Sequence, residues 1–469
     1  MDLPLVVAIV AFVLLLLIVA RLQRRVTAAK DARLAAEVRE AQARGSHKPL
    51  AQHPLIDPAR CVGCGSCVKA CPEGDVLGLL HGRAVIVHGA RCVGHGLCAE
   101  ACPVGALAVG LGDLAQSKDV PRLTEELETS VPGLFVSGEL GGLALIRNAV
   151  EQGVAVVERL AQRLSAGAEP ALAHAGALDL LISGAGPAGI AAALAAKERG
   201  LRYVAVEQEE SLGGSILHYP RRKLTMLQSF TLPLHGKVKI GEYPKEAVLS
   251  IFENAVTQHS LPIHFGERVL AIERRVGPSP FRIATTKKSW EARYVLMALG
   301  RRGTPRKLEV PGEELPKVTY KLVDAASYSH SRLLVVGGGD SAIEAALALA
   351  QQPGNEVTLS YRKSDFYRIK ARNEERMRAA IAAKQVDVVL SSNVREITTT
   401  SVVLQIESGD GKARELALPN DYVFVFAGGV PPFAILEGAG VAFGPEQARP
   451  LDPSAACLRS PGYTRSHSR

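Results

Sequence analysis

The chain opens on eighteen residues without a charge, Leu3 to Ala20, "LPLVVAIVAFVLLLLIVA". As a helix they reach about 27 Å, roughly the apolar thickness of a bilayer. Arg21, Arg24, Arg25 and Lys30 follow at once, and positive flanks stay on the cytoplasmic side. The pattern predicts a transmembrane anchor over 1–20, with all later residues cytoplasmic and bound to the cytoplasmic membrane by this single span. A cleaved signal peptide fits less well, because Asp2 precedes the run, no basic residue does, and no A-x-A site precedes the arginines. Residues 21–54 turn Ala-, Arg- and Glu-rich and predict a helical stalk or linker, broken at "GSHKP", 45–49. Two later stretches run from an apolar strand through a Gly-rich turn and an Ala-rich helix to a second strand, at 178–208 and 331–363. They predict two Rossmann-like units.

Composition agrees. With 44 Gly, 47% apolar and 5% aromatic residues in 469, the chain fits α/β architecture and roughly three domains. Of the net charge of +8, residues 21–44 carry +4 and 446–469 carry +2. No basic face is therefore implied for the folded core, which argues against nucleic acid as a partner.

Seven of the eight cysteines fall between 61 and 102, and clustering in a cytoplasmic setting favours metal over disulfides. Cys457 stands alone in a polar tail. "ARCVGCGSCVKACPEG" at 59 returns as "ARCVGHGLCAEACPVG" at 90, an offset of 31 residues. The first copy is the C-x2-C-x2-C-x3-C-P run of bacterial two-cluster ferredoxins, in which the fourth cysteine crosses to the other cluster. Cys61, Cys64, Cys67 and Cys102 then hold one [4Fe–4S] cluster. Cys71, Cys92 and Cys98 hold a second, with His95 where the twin has Cys64. Three states stay open there: a [3Fe–4S] cluster with an empty corner, a His-ligated [4Fe–4S] cluster, or no cluster. Zinc is a poor alternative, since tandem runs of this kind differ from paired C-x2-C zinc spacing. The segment 55–112 resembles a bacterial two-cluster ferredoxin.

In the first Rossmann unit Gly184, Gly186 and Gly189 allow the turn, the approach of a pyrophosphate and close helix packing, with Pro187 and Ala188 between them; Glu207 ends the second strand, suited to a ribose hydroxyl. The second has Gly337, Gly339 and Ala342, with Asp340 and Ser341 as helix-start groups. Its second strand ends in Arg362 and Lys363, which suit the 2′-phosphate of NADPH; solvated charges and NADH are the alternative.

Two dinucleotide folds in one chain resemble the thioredoxin-reductase-like pyridine nucleotide-disulfide oxidoreductases over 178–444. The bacillithiol-disulfide reductase subgroup is most similar, through "GGS", "GGGDSAIEAAL" and "FAGGVPP". The resemblance implies FAD in the first domain, with Gly213 and Gly214 on its flavin-side loop, NADPH in the second, and a homodimer. It also implies a final FAD segment after 444. Instead, "ETSVPGLFVSGELGGLALIRNAVEQG" stands at 128–153, ahead of the first Rossmann strand, which reads as a circular permutation with Gly138 and Glu139 at the flavin and a helix over 143–164. The family's C-x-x-C is missing, because no cysteine lies between Cys102 and Cys457.

The expected architecture is therefore α/β, with two Rossmann-like domains preceded by a small ferredoxin-like α+β domain and one transmembrane helix. The FAD domain covers 177–314 with 113–176 as its displaced part and linker, the NADPH domain 315–426, a return to the FAD domain 427–444, and a disordered tail 445–469. Nicotinamide gives up a hydride, a cluster takes single electrons, and a flavin does both. The expected function is a membrane-tethered oxidoreductase passing electrons between NADPH, FAD and clusters, to or from an outside redox protein or small molecule. A low-molecular-weight disulfide reductase and a non-catalytic electron-transfer subunit are the alternatives. No side chain stands out as an acid–base catalyst.

Overall fold

The computed structural model describes residues 3–48, 52–111, 120–141, 145–166, 177–276, 280–301, 303–366, 369–407 and 413–444. The tail expected to be disordered, Cys457 and most of the two linkers around the displaced segment lie outside them. The chain divides into two compact units, Met1–Gly110 and Leu111–Arg469.

The first unit begins with a helix, Leu3–Arg44. Among the described residues, no helix is long and apolar enough to cross a membrane; the side chains of residues 3–10, the first part of the uncharged run, are not among those described. The end of this helix departs from the free stalk or linker that its composition predicts. Asp31, Leu34, Ala35, Val38 and Ala41 recur at helical spacing and are partly or fully buried. Leu34 presses on the strand Leu77–Leu80 so closely that a Cβ on Gly78 would lie 2.7 Å from its methyls. Asp31 accepts from the His81 amide at 3.3 Å. Glu37 faces His88 at 3.6 Å, and His88 Nδ1 lies 2.8 Å from the Ser46 hydroxyl. Burial depresses the His88 pKa. The helix and the cysteine-rich domain thus pack as one piece.

That domain is built of short strands and helices around its two cysteine runs. Strands Gln52–Ile56 and Leu107–Leu111 pair with each other, and Leu77–Leu80 forms a hairpin with Arg83–Ile86. Short helices, Ser66–Ala70 and Leu97–Glu100, carry Cys67 and Cys98. Its core consists of Cys67, Val76, Leu77, Ala84, Cys98 and Leu107.

In the second unit, a seven-stranded sheet is built around Leu178–Ser183, Tyr203–Val206 and Ser289–Met297. Within Leu178–Ser183, the run from Leu180 to Ile182 is apolar and fully buried, as in a strand at the centre of a parallel sheet. Leu134–Val136, from the segment ahead of the first Rossmann strand, joins this sheet parallel to Ser289–Met297, with Leu134 opposite Val295 and Val136 opposite Met297. The helix Ile146–Ser165 packs along Pro187–Glu198. It starts three residues later than 143, and residues 142–144 lie outside the described set. Arg163 fixes this helix to the stretch ahead of the strand Leu134–Val136 by pairing with Glu126 at 2.8 Å and Glu128 at 2.7 Å.

The end of the fold meets the same segment. The Arg122 amide donates to Ala442 O at 2.9 Å, the Gly444 amide to Val120 O at 3.2 Å, and Arg122 Nε to Gly444 O at 2.8 Å. Residues 322 apart in sequence thus sit where an unpermuted chain would run straight on. A second, five-stranded parallel sheet runs in the order Val318–Thr319, Tyr422–Val425, Arg332–Val336, Glu356–Ser360, Val386–Val389, beside a three-stranded antiparallel sheet over 392–419.

Candidate redox centres

In the cysteine-rich domain, two separate cavities lie under the two loops. The first is lined by Cys61, Cys64, Cys67 and Cys102. The second is lined by Cys71, Cys92, Cys98 and His95. The fourth cysteine of each run serves the other run's cavity. Gly63 has to be glycine, with φ +68° and a Cβ position 1.9 Å from Gly82 O. Among the described residues no group of three or more His, Cys, Asp or Glu converges as a single-ion site. Ligands of one zinc ion must meet about 2.3 Å from a common centre; four cysteines around the first cavity, and three with His95 around the second, suit the larger body of an iron–sulfur cluster.

Electrostatics agrees. Burial pushes the Cys92 thiol up to about 11 and Cys98 to about 12, and raises Cys67 and Cys71. Cysteines this desolvated become thiolate ligands only beside strong positive charge, which iron supplies. Cys64 is exposed, and the Ser66 hydroxyl lowers its thiol pKa. Amides of Ala84 and Ala106 donate to Cys61 and Cys102 sulfurs at 3.5 and 3.2 Å, bonds of the kind that tune cluster potentials.

At the first Rossmann turn, Gly184 has φ +112° and a Cβ position 2.5 Å from Ala298 O, while a Cβ on Gly189 would stand 1.8 Å from Gly184 O. Gly186 faces Gly214, whose Cβ position is 3.2 Å from the Gly186 Cα, and Gly213 packs its amide on Ala185 O. Pro187 and Ala188 open the helix whose N-terminal amides face this turn. Glu207 is buried; its carboxylate accepts from the Ala185 amide at 2.6 Å and the Glu209 amide at 3.0 Å, and burial raises its pKa. From the displaced segment, Gly138 and Glu139 form a 3-10 turn after Leu134–Val136. Burial raises the Glu139 pKa, against the pull of Arg301. The buried hydroxyls of Ser137 and Ser183 have no hydrogen-bond partner among the described residues, and each adjoins one of these turns. Small residues, orphaned hydroxyls and a buried acid fit a dinucleotide such as FAD.

In the second domain, a Cβ on Gly337 would meet Phe426 O at 2.6 Å, whereas Gly339 has open space and Ser341 is exposed at the helix start above buried Ala342. Arg362 and Lys363 are exposed just beyond the strand Glu356–Ser360. Asp340 does not cap its own helix. It accepts from the Lys370 amide at 3.0 Å and Asn373 Nδ2 at 2.7 Å, and so stabilises the start of the neighbouring helix Ala371–Ala382, where an acid is favoured.

Sequence reasoning missed Gln152, whose side chain accepts from the Gly138 amide at 2.7 Å, and Arg301. It also missed Tyr361, whose ring lies against Gly338 so that a Cβ there would be 2.2 Å away. Only the glycine between Gly337 and Gly339 hinted at the last.

A family described as pyridine nucleotide-disulphide oxidoreductase matches residues 181–455. The chain belongs to this family. A 4Fe-4S dicluster domain matches residues 53–103. A ferredoxin–NADP reductase of Ignicoccus hospitalis is 30% identical over 265 residues, 54% of this chain and 78% of that one. The bacilliredoxin reductase Bdr of Bacillus subtilis is 28% identical over 275 residues, 58% and 83%. The structure of a bacillithiol disulfide reductase from Staphylococcus aureus superposes with TM-score 0.50 at 29% identity, covering 56% of this chain and 80% of that one. The chain is thus an FAD-dependent NAD(P)H oxidoreductase carrying an iron–sulfur ferredoxin domain. The family match begins at 181 and so leaves out the strand and helix that 120–166 contribute to the same fold.

Proposed function

We propose that this enzyme is tethered to the cytoplasmic membrane and passes electrons between NADPH, FAD and its two clusters, to or from a separate redox partner. One observation carries this reading. The flavoprotein part has no cysteine between Cys102 and Cys457, hence no dithiol of its own, while the same chain provides two cysteine-lined cavities. Bound FAD would supply the exchange between a two-electron hydride and the single electrons of a cluster. The chain's residues bind and orient: the turn from Gly184 to Gly189 and the helix behind it take the pyrophosphate, Glu207 the ribose, and Glu139 the flavin's ribitol side. Arg362 and Lys363 select a 2′-phosphate, and Ser341 stands at the second pyrophosphate turn.

The tether is supported by the eighteen uncharged residues followed by four basic ones, and by exposure. Phe12, Val13, Leu14, Leu15, Leu16, Leu17, Ile18 and Val19 are each between 41% and 61% exposed. At about 1–2 kcal/mol each, sinking them into lipid is worth on the order of 10 kcal/mol. Packing of the helix end on the cysteine-rich domain would hold the clusters at a set height above the bilayer.

Anaerobic stopped-flow mixing with NADPH tests the electron path. Flavin bleaching followed by cluster reduction supports it. The names of the Bdr relatives favour a second reading, a small disulfide as acceptor; flavin that bleaches and reoxidises only when a disulfide is added would support that one. No bleaching by NADPH or NADH overturns both.

A further inference from the structure

We infer that His95 is the fourth ligand of the second cluster, held in place by Glu73. The internal repeat makes the case. At the 31-residue offset, His95 replaces Cys64 and Glu73 replaces Val104. Because each run's last cysteine loop crosses over, Cys64 and Val104 line the first cavity, while His95 and Glu73 line the second. The two exchanges therefore fall at one place in space, and the new residues meet: His95 Nε2 lies 3.3 Å from Glu73 Oε1.

Both side chains are sheltered, at 12% and 13% exposure, whereas Val104 in the twin is 42% exposed. A carboxylate turned inward this far needs a polar partner. Metal-bound histidines regularly hand their second ring nitrogen to such a carboxylate, which fixes tautomer and ring orientation. In this assignment Glu73 engages one ring nitrogen and the other takes the iron corner that the Cys64 thiolate takes in the first site. Replacing a thiolate by neutral imidazole leaves this cluster one negative charge lighter than its twin. The assignment stands or falls independently of which acceptor the enzyme serves.

The full-length chain, reconstituted anaerobically with iron and sulfide, tests the assignment by iron content, by EPR of the oxidised form, and by pulsed EPR of the reduced form with 15N-histidine labelling. The wild type should carry a full complement of iron at both sites, show no oxidised [3Fe–4S] signal, and show a histidine nitrogen coupling. His95→Ala should lose one iron per chain and gain the [3Fe–4S] signal. Glu73→Val, which restores the twin's residue, should do so in part, while Glu73→Gln, which keeps a hydrogen-bonding oxygen, should retain the iron. His95→Cys, the variant most certain to fold, should keep all its iron, lose the nitrogen coupling and lower the second site's potential. A [3Fe–4S] signal in the wild type, absence of nitrogen coupling, its persistence in His95→Cys, or a Glu73→Val protein identical to wild type would each overturn the assignment.

Discussion

Gly153→Ala sets two effects of known size against each other. Gly153 is inside the helix Ile146–Ser165, where alanine in place of glycine ordinarily stabilises by about 1 kcal/mol. Here a Cβ would stand 2.2 Å from Ala188 O and 3.1 Å from Ala188 C. Non-bonded contacts settle at roughly 3.5 Å, so the two helices must part by about 1 Å. Both obstructing atoms are backbone, and no rotamer can yield. Overpacking of this kind costs about 1–3 kcal/mol, which offsets the propensity gain or exceeds it. Ala188 lies in the first turn of Pro187–Glu198, so the displacement reaches the amides that would hold the FAD pyrophosphate. We expect FAD to bind about tenfold more weakly, a change of roughly 1.4 kcal/mol, with a lowered melting temperature. Fluorescence titration of flavin into stripped protein measures the first and thermal melts the second. Gly438→Ala, where no atom lies within 4 Å, is the control and should bind FAD normally. If Gly153→Ala binds FAD as wild type does and melts higher, the helix of the displaced segment does not pack on the flavin turn as described.

Deleting residues 2–20 should release a soluble protein that still binds flavin; continued sedimentation with membranes would refute the tether. Arg362→Ala should weaken NADPH more than NADH, read from the KM of flavin reduction, and equal effects would reject the 2′-phosphate role. Glu139→Ala should release FAD while Glu139→Asp retains it, by flavin content after gel filtration. In the second domain, Arg332 and its amide hold the Asp421 carboxyl down at about 2. The pair's contribution is complete above the ordinary carboxylate range and is lost as pH falls from about 4 towards 2. The pair is partly exposed, so its contribution is small, and Asp421→Asn should flatten that part of the acid-unfolding curve.

Local chemistry was legible in the sequence where spacing encodes it. The repeat tells which cysteines meet, because its loops are short and each last cysteine is fixed by proline. The two Gly-rich turns follow from strand, turn and helix in order. What spacing cannot encode is a partner distant in sequence. Nothing in the Ala- and Arg-rich stretch after Ala20 announces that Leu34 will press on Gly78, since the burial is shared among small residues and aliphatic stems. Asp340 reads as a cap of its own helix because its true partners, the Lys370 amide and Asn373, are about thirty residues away. Gln152 beside the Gly138 amide carries no pattern at all, and glutamine on a helix is ordinarily a solvated residue.

The parts of the chain that neither family match covers are the ones that join its functions. The helix Leu3–Arg44 packs on the cysteine-rich domain instead of hanging from it as a flexible leash. On the other side, residues 120–166 carry the strand that pairs with Ser289–Met297, the Gly138–Glu139 turn and the helix against Ala188. Had the ferredoxin domain been joined directly ahead of Leu178, this segment would close the chain instead. As built, the first strand of the FAD fold met after the last strand of the cysteine-rich domain is Leu134–Val136, which leads directly into the turn that bears Glu139. Two redox modules joined by a short linker act on each other at an effective concentration in the millimolar range, so transfer between them needs no tight standing interface. The order of segments thus puts the ferredoxin domain next in sequence to the displaced segment, the arrangement that the proposed electron path needs.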